Sequence, residues 1–368
     1  MGYNIHYWGM NDDRNIVSDK DGLFATNIDY QKCAGLKKIF SAYESIYSTQ
    51  NRNKIRDFLT LHDIQIAHIH NINFQITPSI LPELKKNSVK IVYTVHDSQL
   101  ACPYHRLYNF QTDHTCLKCI DGSFYHCVLD RCFEGSLLRS GVAALESYFY
   151  HAFNFYNDYI DLIISPSQFL ADIIARRYSG RIEVLPNFVS LPTATASVKD
   201  GNIVYVGRVS QEKGIFELAK RFEKAGLPLT VIGGGPDLTA LMNYKNISAL
   251  GPLYGADLFD RIRRAKFIIQ PSRGFENCPM TVIEAFACGT PVIAPEHSGF
   301  KELIKPGCTG FFVDFKASDF IDRIKVISEM YSPRLSECCL KEFTEKYSEE
   351  LHLSRIIKYY EELLNESV

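Results

Sequence analysis

The sequence lacks any apolar run long enough to cross a membrane and any marked excess of charge of one sign. Forty basic side chains stand against 42 acidic ones in 368 residues, which gives a formal net charge of −2. This balance removes any global electrostatic case for a nucleic-acid partner. No apolar stretch approaches the roughly 18–20 residues of a membrane helix. Because no basic segment leads into an apolar one at the start, we expect a cytoplasmic protein.

What is present is typical of a large globular protein. Hydrophobic residues make up 46% and charged residues 22% of the chain, a composition that excludes a disordered protein. The length exceeds that of one ordinary core and predicts two domains, over residues 1–190 and 200–342. Small polar residues over 191–201 predict the linker between them. The last segment, 343–368, is expected to end in an amphipathic helix that packs back on the N-terminal domain.

Both halves of the chain alternate short β-branched runs with helical patterns. Such runs end at His70, His96 and Ser165 in the first half, and at Val206, Ile232, Gln270 and Ala294 in the second. Near-continuous apolar runs between helices are typical of parallel strands buried on both faces. Two such alternations predict an α/β protein with two doubly wound, Rossmann-like domains, whose ligands bind at the carboxyl ends of the strands.

One segment of the second half combines the start of a helix with two carboxylates. It reads Pro271-Ser-Arg-Gly-Phe-Glu-Asn-Cys-Pro-Met-Thr-Val-Ile-Glu284. Pro279 suits the first position of a helix, and Gly289 suits the position after its last turn. Free N–H groups around residues 279–281 would then form an anion site suited to phosphate. Two carboxylates beside such a site can accept hydrogen bonds from sugar hydroxyls, whereas the alternative is a pair of solvated surface side chains.

This segment and two others upstream resemble the retaining nucleotide-sugar glycosyltransferases of family 4. Glu276 and Glu284 match the family's E-x7-E signature, and Gly207-Arg-Val-Ser-Gln-Glu-Lys-Gly214 matches its G-R-x-x-x-E-K-G signature. Gly233-Gly-Gly-Pro236 is similar to its G-x-G-x turn, and residues 202–315 follow the family order. The resemblance implies a GT-B fold, in which two Rossmann-like domains face each other across a cleft. It also implies a role in building bacterial surface polysaccharide.

The resemblance assigns roles to individual residues. Arg208 and Lys213 would bind the donor diphosphate, Glu284 the ribose hydroxyls, and Glu276 the hydroxyls of the transferred sugar. His96, which ends a strand, would lie beside the donor sugar. Further donor contacts are expected from Gly9, Leu253, Asn277, Pro279, Met280 and Thr281.

Two further histidines end the neighbouring strand. We expect His68 to point into the core. His70 reaches the cleft only if the pairing register of the strands allows it. A strand-end histidine is more often structural than catalytic, and only the family context favours a function for His96.

The implied reaction needs no cofactor beyond a UDP- or GDP-sugar donor and no catalytic metal. The acceptor would be a saccharide, either free or linked to a polyprenyl diphosphate. Two alternatives stay open: a nucleotide-sugar epimerase of the same fold and a nucleotide-binding relative without catalysis. A dinucleotide-dependent oxidoreductase is disfavoured, because the glycines at 233–235 lack the full G-x-G-x-x-G pattern.

A cysteine-rich insert over residues 97–134 interrupts the first half. It has no clear helical or strand period, and it contains five of the 11 cysteines: Cys102, Cys116, Cys119, Cys127 and Cys132. The last four are spaced as C-x2-C-x7-C-x4-C, which suits a structural zinc held by four thiolates. Free thiols and a disulfide are the alternatives.

An aromatic segment, residues 137–160, follows the insert. One interpretation is a helix that touches the membrane where a lipid-linked acceptor is presented. The segment lacks the basic face that strengthens attraction to anionic lipids, so packing in the core is the favoured interpretation.

Overall fold

The computed structural model describes residues 2–27, 43–73, 75–190 and 198–366. Most of the predicted linker, residues 191–197, lies outside these ranges. The chain divides into two compact units. The first unit consists of Met1–Ser165, Leu170–Val184 and Ile357–Val368, and the second of Pro166–Phe169 and Leu185–Ile356.

The first unit contains a four-stranded parallel sheet with the strand order β1-β2-β5-β6. Its strands are β1 (Ile66–Ile69), β2 (Lys90–Thr94), β5 (Leu162–Ser165) and β6 (Ile182–Val184). An antiparallel pair, β3 (Tyr108–Asn109) and β4 (His114–Thr115), lies in the cysteine-rich insert. The helices are α1 (Thr49–Leu61), α2 (Leu81–Lys86), α3 (Lys118–Asp121), α4 (Tyr125–Leu129), α5 (Leu137–Ala152), α6 (Phe155–Tyr159) and α7 (Gln168–Ile174).

The second unit contains a six-stranded parallel sheet with the order β12-β11-β10-β7-β8-β9. Its strands are β7 (Ile203–Val206), β8 (Leu229–Ile232), β9 (Ile247–Gly251), β10 (Phe267–Ile269), β11 (Val292–Ala294) and β12 (Gly310–Phe312). Its helices are α8 (Ile215–Lys224), α9 (Leu238–Leu241), α10 (Gly255–Arg264), α11 (Met280–Ala287), α12 (Ser298–Leu303), α13 (Phe320–Glu329) and α14 (Pro333–Lys346).

Alternation along the central strand β7 explains why this sheet is buried on both faces. Val204 and Val206 pack into one hydrophobic cluster, and Ile203 and Tyr205 pack into another. Successive side chains of a strand point to opposite faces, so a strand with no polar position needs helices on both sides. Each fully buried large side chain contributes about 1.5–3 kcal/mol to folding. These two clusters therefore hold the strand ends in place.

Within the two parallel sheets, the strands missing from the sequence prediction are β6, β9 and β12, and all three lie at sheet edges. The short pair β3 and β4 of the insert was not predicted either. Their side chains are partly exposed, so they show no continuous apolar run. Around Gly9 the described residues form no strand, only an isolated bridge between Met10 and Ala25.

The last helix, α15 (Glu349–Asn365), begins in the second unit, and its residues from Ile357 onward belong to the first. In that first unit Arg181 donates a 2.6 Å hydrogen bond to Glu362, and the Tyr360 hydroxyl lies 2.5 Å from Nδ1 of His68.

Candidate functional site

The strand order of the second unit creates a switch point between β7 and β10. From β7 the chain moves outward through β8 to β9, returns to β10 on the other side of β7, and continues to β12. Ligands of open α/β sheets bind at such a point, beyond the carboxyl ends of the strands. The segments that leave β7 and β10 carry Arg208, Lys213 and Glu276.

Glycines allow these segments to approach one another closely. A Cβ on Gly233 would lie 1.9 Å from the carbonyl oxygen of Gly207. A Cβ on Gly214 would lie 2.1 Å from the carbonyl oxygen of Pro271, and the φ of +71° there favours glycine. These two contacts bring the loop after β8 against the loop after β7, and the turn that carries Lys213 against the loop after β10.

Lys213 and Glu276 form an ion pair within this arrangement. Nζ of Lys213 lies 2.6 Å from Oε1 of Glu276, and the Ser272 hydroxyl donates to the same oxygen at 2.6 Å. The two charged side chains are 28% and 17% exposed. The Glu276 N–H donates to Oγ of Ser298 at 3.0 Å, which holds the backbone in place. Lys213 can therefore leave Glu276 for a phosphate, and Glu276 then has a free oxygen for a hydroxyl.

Within the part of the chain that the structure describes, Glu284 and Arg208 have no side-chain partner of opposite charge. Burial raises the pKa of Glu284 above its usual value, and no described side chain donates to its carboxylate. Arg208 is exposed, and within the described ranges it forms no ion pair. A half-buried, unpartnered carboxylate and a free guanidinium are suited to a ligand with both hydroxyls and negative charge.

The predicted helix after Glu276 exists, although its start differs by one residue. Pro279 is the N-cap, and α11 begins at Met280, because the ψ of 117° at Pro279 is extended. Glu276 thus lies in the loop and Glu284 inside the helix, and Gly289 has the positive φ of +63° expected after the last turn.

The remaining predicted donor contacts fall in two places. Asn277 accepts a 2.5 Å hydrogen bond from Ser167, and the side chains of Met280 and Thr281 lie at the first turn of α11. Leu253 packs against the core between β9 and α10. In the first unit, the space around Gly9 is open, and its backbone does not need glycine.

Three histidines of the first unit form a continuous stack at the ends of β1 and β2. Nδ1 of His70 lies 3.1 Å from Nε2 of His96, and the ring centroid of His70 is 4.4 Å from that of His68. His68 is held by the hydroxyl of Thr94, 2.7 Å from its Nε2. The parallel register of β1 and β2 brings the ends of both strands to the same edge of the sheet. The predicted position of His70 is conditional on this pairing register.

The next residue, Asp97, is held as an anion. Burial opposes ionisation, but the hydrogen bonds from His105 and from the Gln99 N–H lower the pKa of Asp97 below its usual value. Desolvation lowers the pKa of His96 and outweighs the opposite effect of the Asp97 charge, which favours the neutral ring near pH 7.

The four cysteines predicted to bind zinc lie together in the first unit. Cys116, Cys119, Cys127 and Cys132 line one small cavity, and Cys102 lines it as well. Across the ranges that the structure describes, no group of three or more His, Cys, Asp or Glu side chains is placed so that it could hold a metal ion.

The aromatic segment divides between core and surface. Tyr150, Phe155 and Tyr156 are buried, whereas Tyr148 and Phe153 are 41% and 62% exposed. Among the described residues, no helix combines the length and the apolarity needed to span a bilayer.

Sequence reasoning missed Ser272, Ser298, Glu146 and His105. The two serines hold Glu276, and no motif identifies them, because their role depends on a loop and a helix start 26 residues apart meeting in space. Glu146 lies on α5, and burial raises its pKa to about 7, an effect slightly reduced by His105. The sequence signal that could have identified Glu146 is an acidic residue within a segment rich in aromatic side chains.

Comparisons with known proteins agree with this geometry. Residues 193–337 match the family described as Glycosyl transferases group 1. A GDP-mannose-dependent alpha-mannosyltransferase of Mycolicibacterium smegmatis is 33% identical over 111 residues, which are 30% of this chain and 29% of that protein. The chain spans less than two thirds of the length of the first curated relatives it matches, 60% of one and 29% of the mannosyltransferase.

Solved structures share the fold. Sucrose-phosphate synthase from Thermosynechococcus elongatus aligns with a TM-score of 0.64 at 15% identity, over 92% of this chain and 83% of that one. Anabaena HepE in complex with UDP-glucose aligns with a TM-score of 0.60 at 15% identity, over 85% and 82%. The predicted GT-B fold with two Rossmann-like domains is therefore confirmed.

Proposed function

We propose that this chain, whose residues 193–337 match the group 1 glycosyl transferase family, moves a sugar from a nucleoside-diphosphate donor to a saccharide acceptor with retention of configuration. The observation that carries the proposal is the ion pair between Lys213 and Glu276 at the switch point of the six-stranded sheet. A cation and a carboxylate that can separate are suited to the two halves of a sugar diphosphate.

Each charged side chain has a distinct task in this proposal. Arg208 and Lys213 bind the diphosphate and stabilise the charge that grows on it, while Glu284 accepts hydrogen bonds from the ribose. Glu276 accepts hydrogen bonds from the transferred sugar, and His96 positions that sugar. The bond between the anomeric carbon and the phosphate oxygen breaks as the acceptor oxygen bonds to that carbon. The acceptor proton passes to the departing phosphate.

Two observations on relatives direct the choice of donor. The mannosyltransferase is named for GDP-mannose, and the HepE structure contains UDP-glucose. UDP- and GDP-sugars are therefore the first donors to test. The proposed setting is the assembly of bacterial surface polysaccharide, at the cytoplasmic face of the membrane, on a saccharide or polyprenyl-linked saccharide acceptor. A zinc ion held by the cysteine-rich insert would be structural, because four thiolates leave no open coordination position.

A thermal-shift screen of the pure protein against UDP-, GDP- and dTDP-sugars tests the donor site. A ligand at about 100 times its dissociation constant adds roughly 2.7 kcal/mol to the free energy of unfolding, which raises the melting temperature measurably. We expect a shift with one nucleotide family and none with the NAD control. The absence of any shift on folded protein would contradict the proposed donor site.

A nucleotide-sugar epimerase of the same fold is the second candidate, and its reaction needs no acceptor. Incubating the donor in deuterated water separates the two activities. An epimerase incorporates deuterium into the sugar and forms its epimer, whereas a transferase releases nucleoside diphosphate only when an acceptor or water takes the sugar. Binding without either product would indicate a relative that has lost catalysis.

A further inference from the structure

The four residues Pro166–Phe169 belong to the second unit, although the chain on either side of them belongs to the first. They follow β5 directly and include the first two residues of α7. Within the second unit this short segment contacts the loop after β10, the loop that carries Glu276. The segment therefore does more than connect a strand to a helix.

The contacts of the segment fall on the two sequence neighbours of Glu276. The Ser167 hydroxyl, on a side chain that is only 3% exposed, donates to Oδ1 of Asn277 at 2.5 Å. The ring of Phe169 packs on the ring of Phe275, with 5.0 Å between the ring centroids. Because both neighbours of Glu276 are held, the position of its own side chain depends on where the segment lies.

Glu302 holds the segment itself. Its two carboxylate oxygens accept hydrogen bonds from the N–H of Gln168 at 2.8 Å and from the N–H of Phe169 at 2.5 Å. These are N–H groups of the first turn of α7, which have no acceptor within the helix, and a carboxylate suits the positive end of the helix dipole. Glu302 therefore fixes the backbone that carries Ser167.

The helix that carries Glu302, α12, also holds the loop. At its start, Oγ of Ser298 accepts from the Glu276 N–H at 3.0 Å, and the Gly299 N–H donates to the Glu276 carbonyl at 2.8 Å. A Cβ on Gly299 would lie 1.5 Å from the carbonyl oxygen of Asn277, so the helix start and the loop are in direct backbone contact. One short helix thus braces both the loop and the segment that packs on it.

We propose that Ser167 and Glu302 are positioning residues, which set the loop of Glu276 and Asn277 for the transferred sugar. The inference rests on the proposed function, in which Glu276 accepts hydrogen bonds from that sugar. A misplacement of about 1 Å at such a group can cost about 10²-fold in rate. The hydrogen bonds that fix the loop therefore matter more for turnover than for stability, to which each neutral one contributes little.

Binding and turnover of Ser167→Ala test this role. We expect kcat to fall by about 10–100-fold and the affinity for the nucleotide sugar to weaken, because the loop no longer meets the sugar correctly. The affinity for the nucleoside diphosphate alone, and the number of sites in calorimetry, should stay unchanged. The three side chains assigned to that part of the donor are unaltered: Arg208, Lys213 and Glu284. A variant that was merely unfolded in part would lose sites for both ligands.

The matched control removes a hydrogen bond of the same kind from the first unit. There the Ser179 hydroxyl donates to Oδ1 of Asn157 at 3.0 Å, on the loop before β6, and Ser179→Ala should leave kcat unchanged. Equal losses of affinity for the sugar nucleotide and for the nucleoside diphosphate would overturn the inference. So would a kcat for Ser167→Ala within about threefold of the unaltered enzyme.

The role of Glu302 is tested by two substitutions of this exposed side chain. Glu302→Ala removes both acceptors and should reproduce the loss of kcat seen in Ser167→Ala. Glu302→Gln retains one accepting oxygen and should recover most of that loss, since a side-chain amide can still accept from one N–H. Normal turnover of Glu302→Ala would overturn the role of Glu302.

Hydrogen exchange of the peptide over residues 275–278 needs neither donor nor turnover. Loss of one hydrogen bond should speed its exchange by about threefold to tenfold in Ser167→Ala, while Ser179→Ala leaves it unchanged. Unchanged exchange in Ser167→Ala would overturn the inference even in an active enzyme. Faster exchange in a chain that neither binds a sugar nucleotide nor transfers a sugar would refute the proposed function alone, and would support Ser167 as the residue that holds the loop.

Discussion

Replacing Lys213 by alanine separates a catalytic role for this side chain from a structural one. In the structure its ammonium group lies 2.6 Å from Glu276, with 28% of the lysine side chain exposed. A partly exposed pair of this kind contributes about 1 kcal/mol to stability at most. The Ser272 hydroxyl, which donates to the same oxygen at 2.6 Å, remains after the change. We therefore expect Lys213→Ala to fold and to melt within a few degrees of the unaltered protein.

The expected effect on turnover is much larger. Loss of one preorganised group that stabilises developing charge costs about 2.7–4 kcal/mol, so kcat should fall by about 10²–10³. The assay follows release of nucleoside diphosphate from the donor that the thermal-shift screen identifies. Lys224→Ala, an exposed lysine at the end of α8, is the matched control and should leave kcat unchanged.

A double variant distinguishes two explanations of a slow Lys213→Ala enzyme. Because Glu276 itself contacts the transferred sugar in our proposal, the reference for the double variant is Glu276→Gln alone. If Lys213 only neutralises Glu276, Lys213→Ala in the Glu276→Gln chain changes kcat little, whereas if Lys213 binds the diphosphate it lowers kcat further by about 10²–10³. A double variant as fast as Glu276→Gln, or a kcat for Lys213→Ala within about threefold of the unaltered enzyme, which is under 1 kcal/mol, would refute the assignment.

Three other changes test neighbouring parts of the argument. Glu284→Gln should weaken nucleotide binding by about 10–100-fold in calorimetry and slightly raise the melting temperature at neutral pH, since the carboxylate's burial cost disappears. Glu146→Gln should match the unaltered protein in denaturant unfolding at pH 4 and exceed it by at most about 3 kcal/mol at pH 8, because the raised pKa of Glu146, about 7, costs stability as the pH rises through that value. Gly233→Ala should destabilise the protein by about 1–3 kcal/mol through its backbone clash, whereas Gly234→Ala, whose Cβ would lie 3.9 Å from the Pro252 side chain at ordinary contact distance, should not.

The sequence predicts the features that depend on local pattern. The strands β2, β5, β7 and β8 are found at the expected positions, because their burial on both faces leaves a nearly continuous apolar run, with polar residues only at the ends of β2 and β5 and at Thr230 of β8. Glu276 in a loop and Glu284 in a helix follow from Gly289 and from the proline before the helix, although that proline proved to be the N-cap.

Features that depend on proximity across the chain could not be predicted in this way. Ser298 reaches the Glu276 backbone only because α12 begins beside the loop after β10. Cys102 lines the same small cavity as the other four cysteines of the insert, and no spacing rule connects it to them. Edge strands such as β9 were missed for a different reason, since one exposed face breaks the apolar run.

The two carboxylates of the site lie in opposite electrostatic environments, and this difference explains how one ligand could suit both. Glu276 is neutralised by Lys213, while Glu284 is half-buried with a raised pKa and no described donor. A sugar nucleotide supplies an anion that draws Lys213 away and hydroxyls that satisfy both carboxylates. Hydrogen bonds to the ionised Glu284 would lower its raised pKa, so donor binding releases protons, and affinity should rise with pH through the raised pKa of the free site. If the site instead bound a dinucleotide through glycine contacts alone, neither carboxylate would be involved. The affinity for that ligand would then not rise with pH in this way.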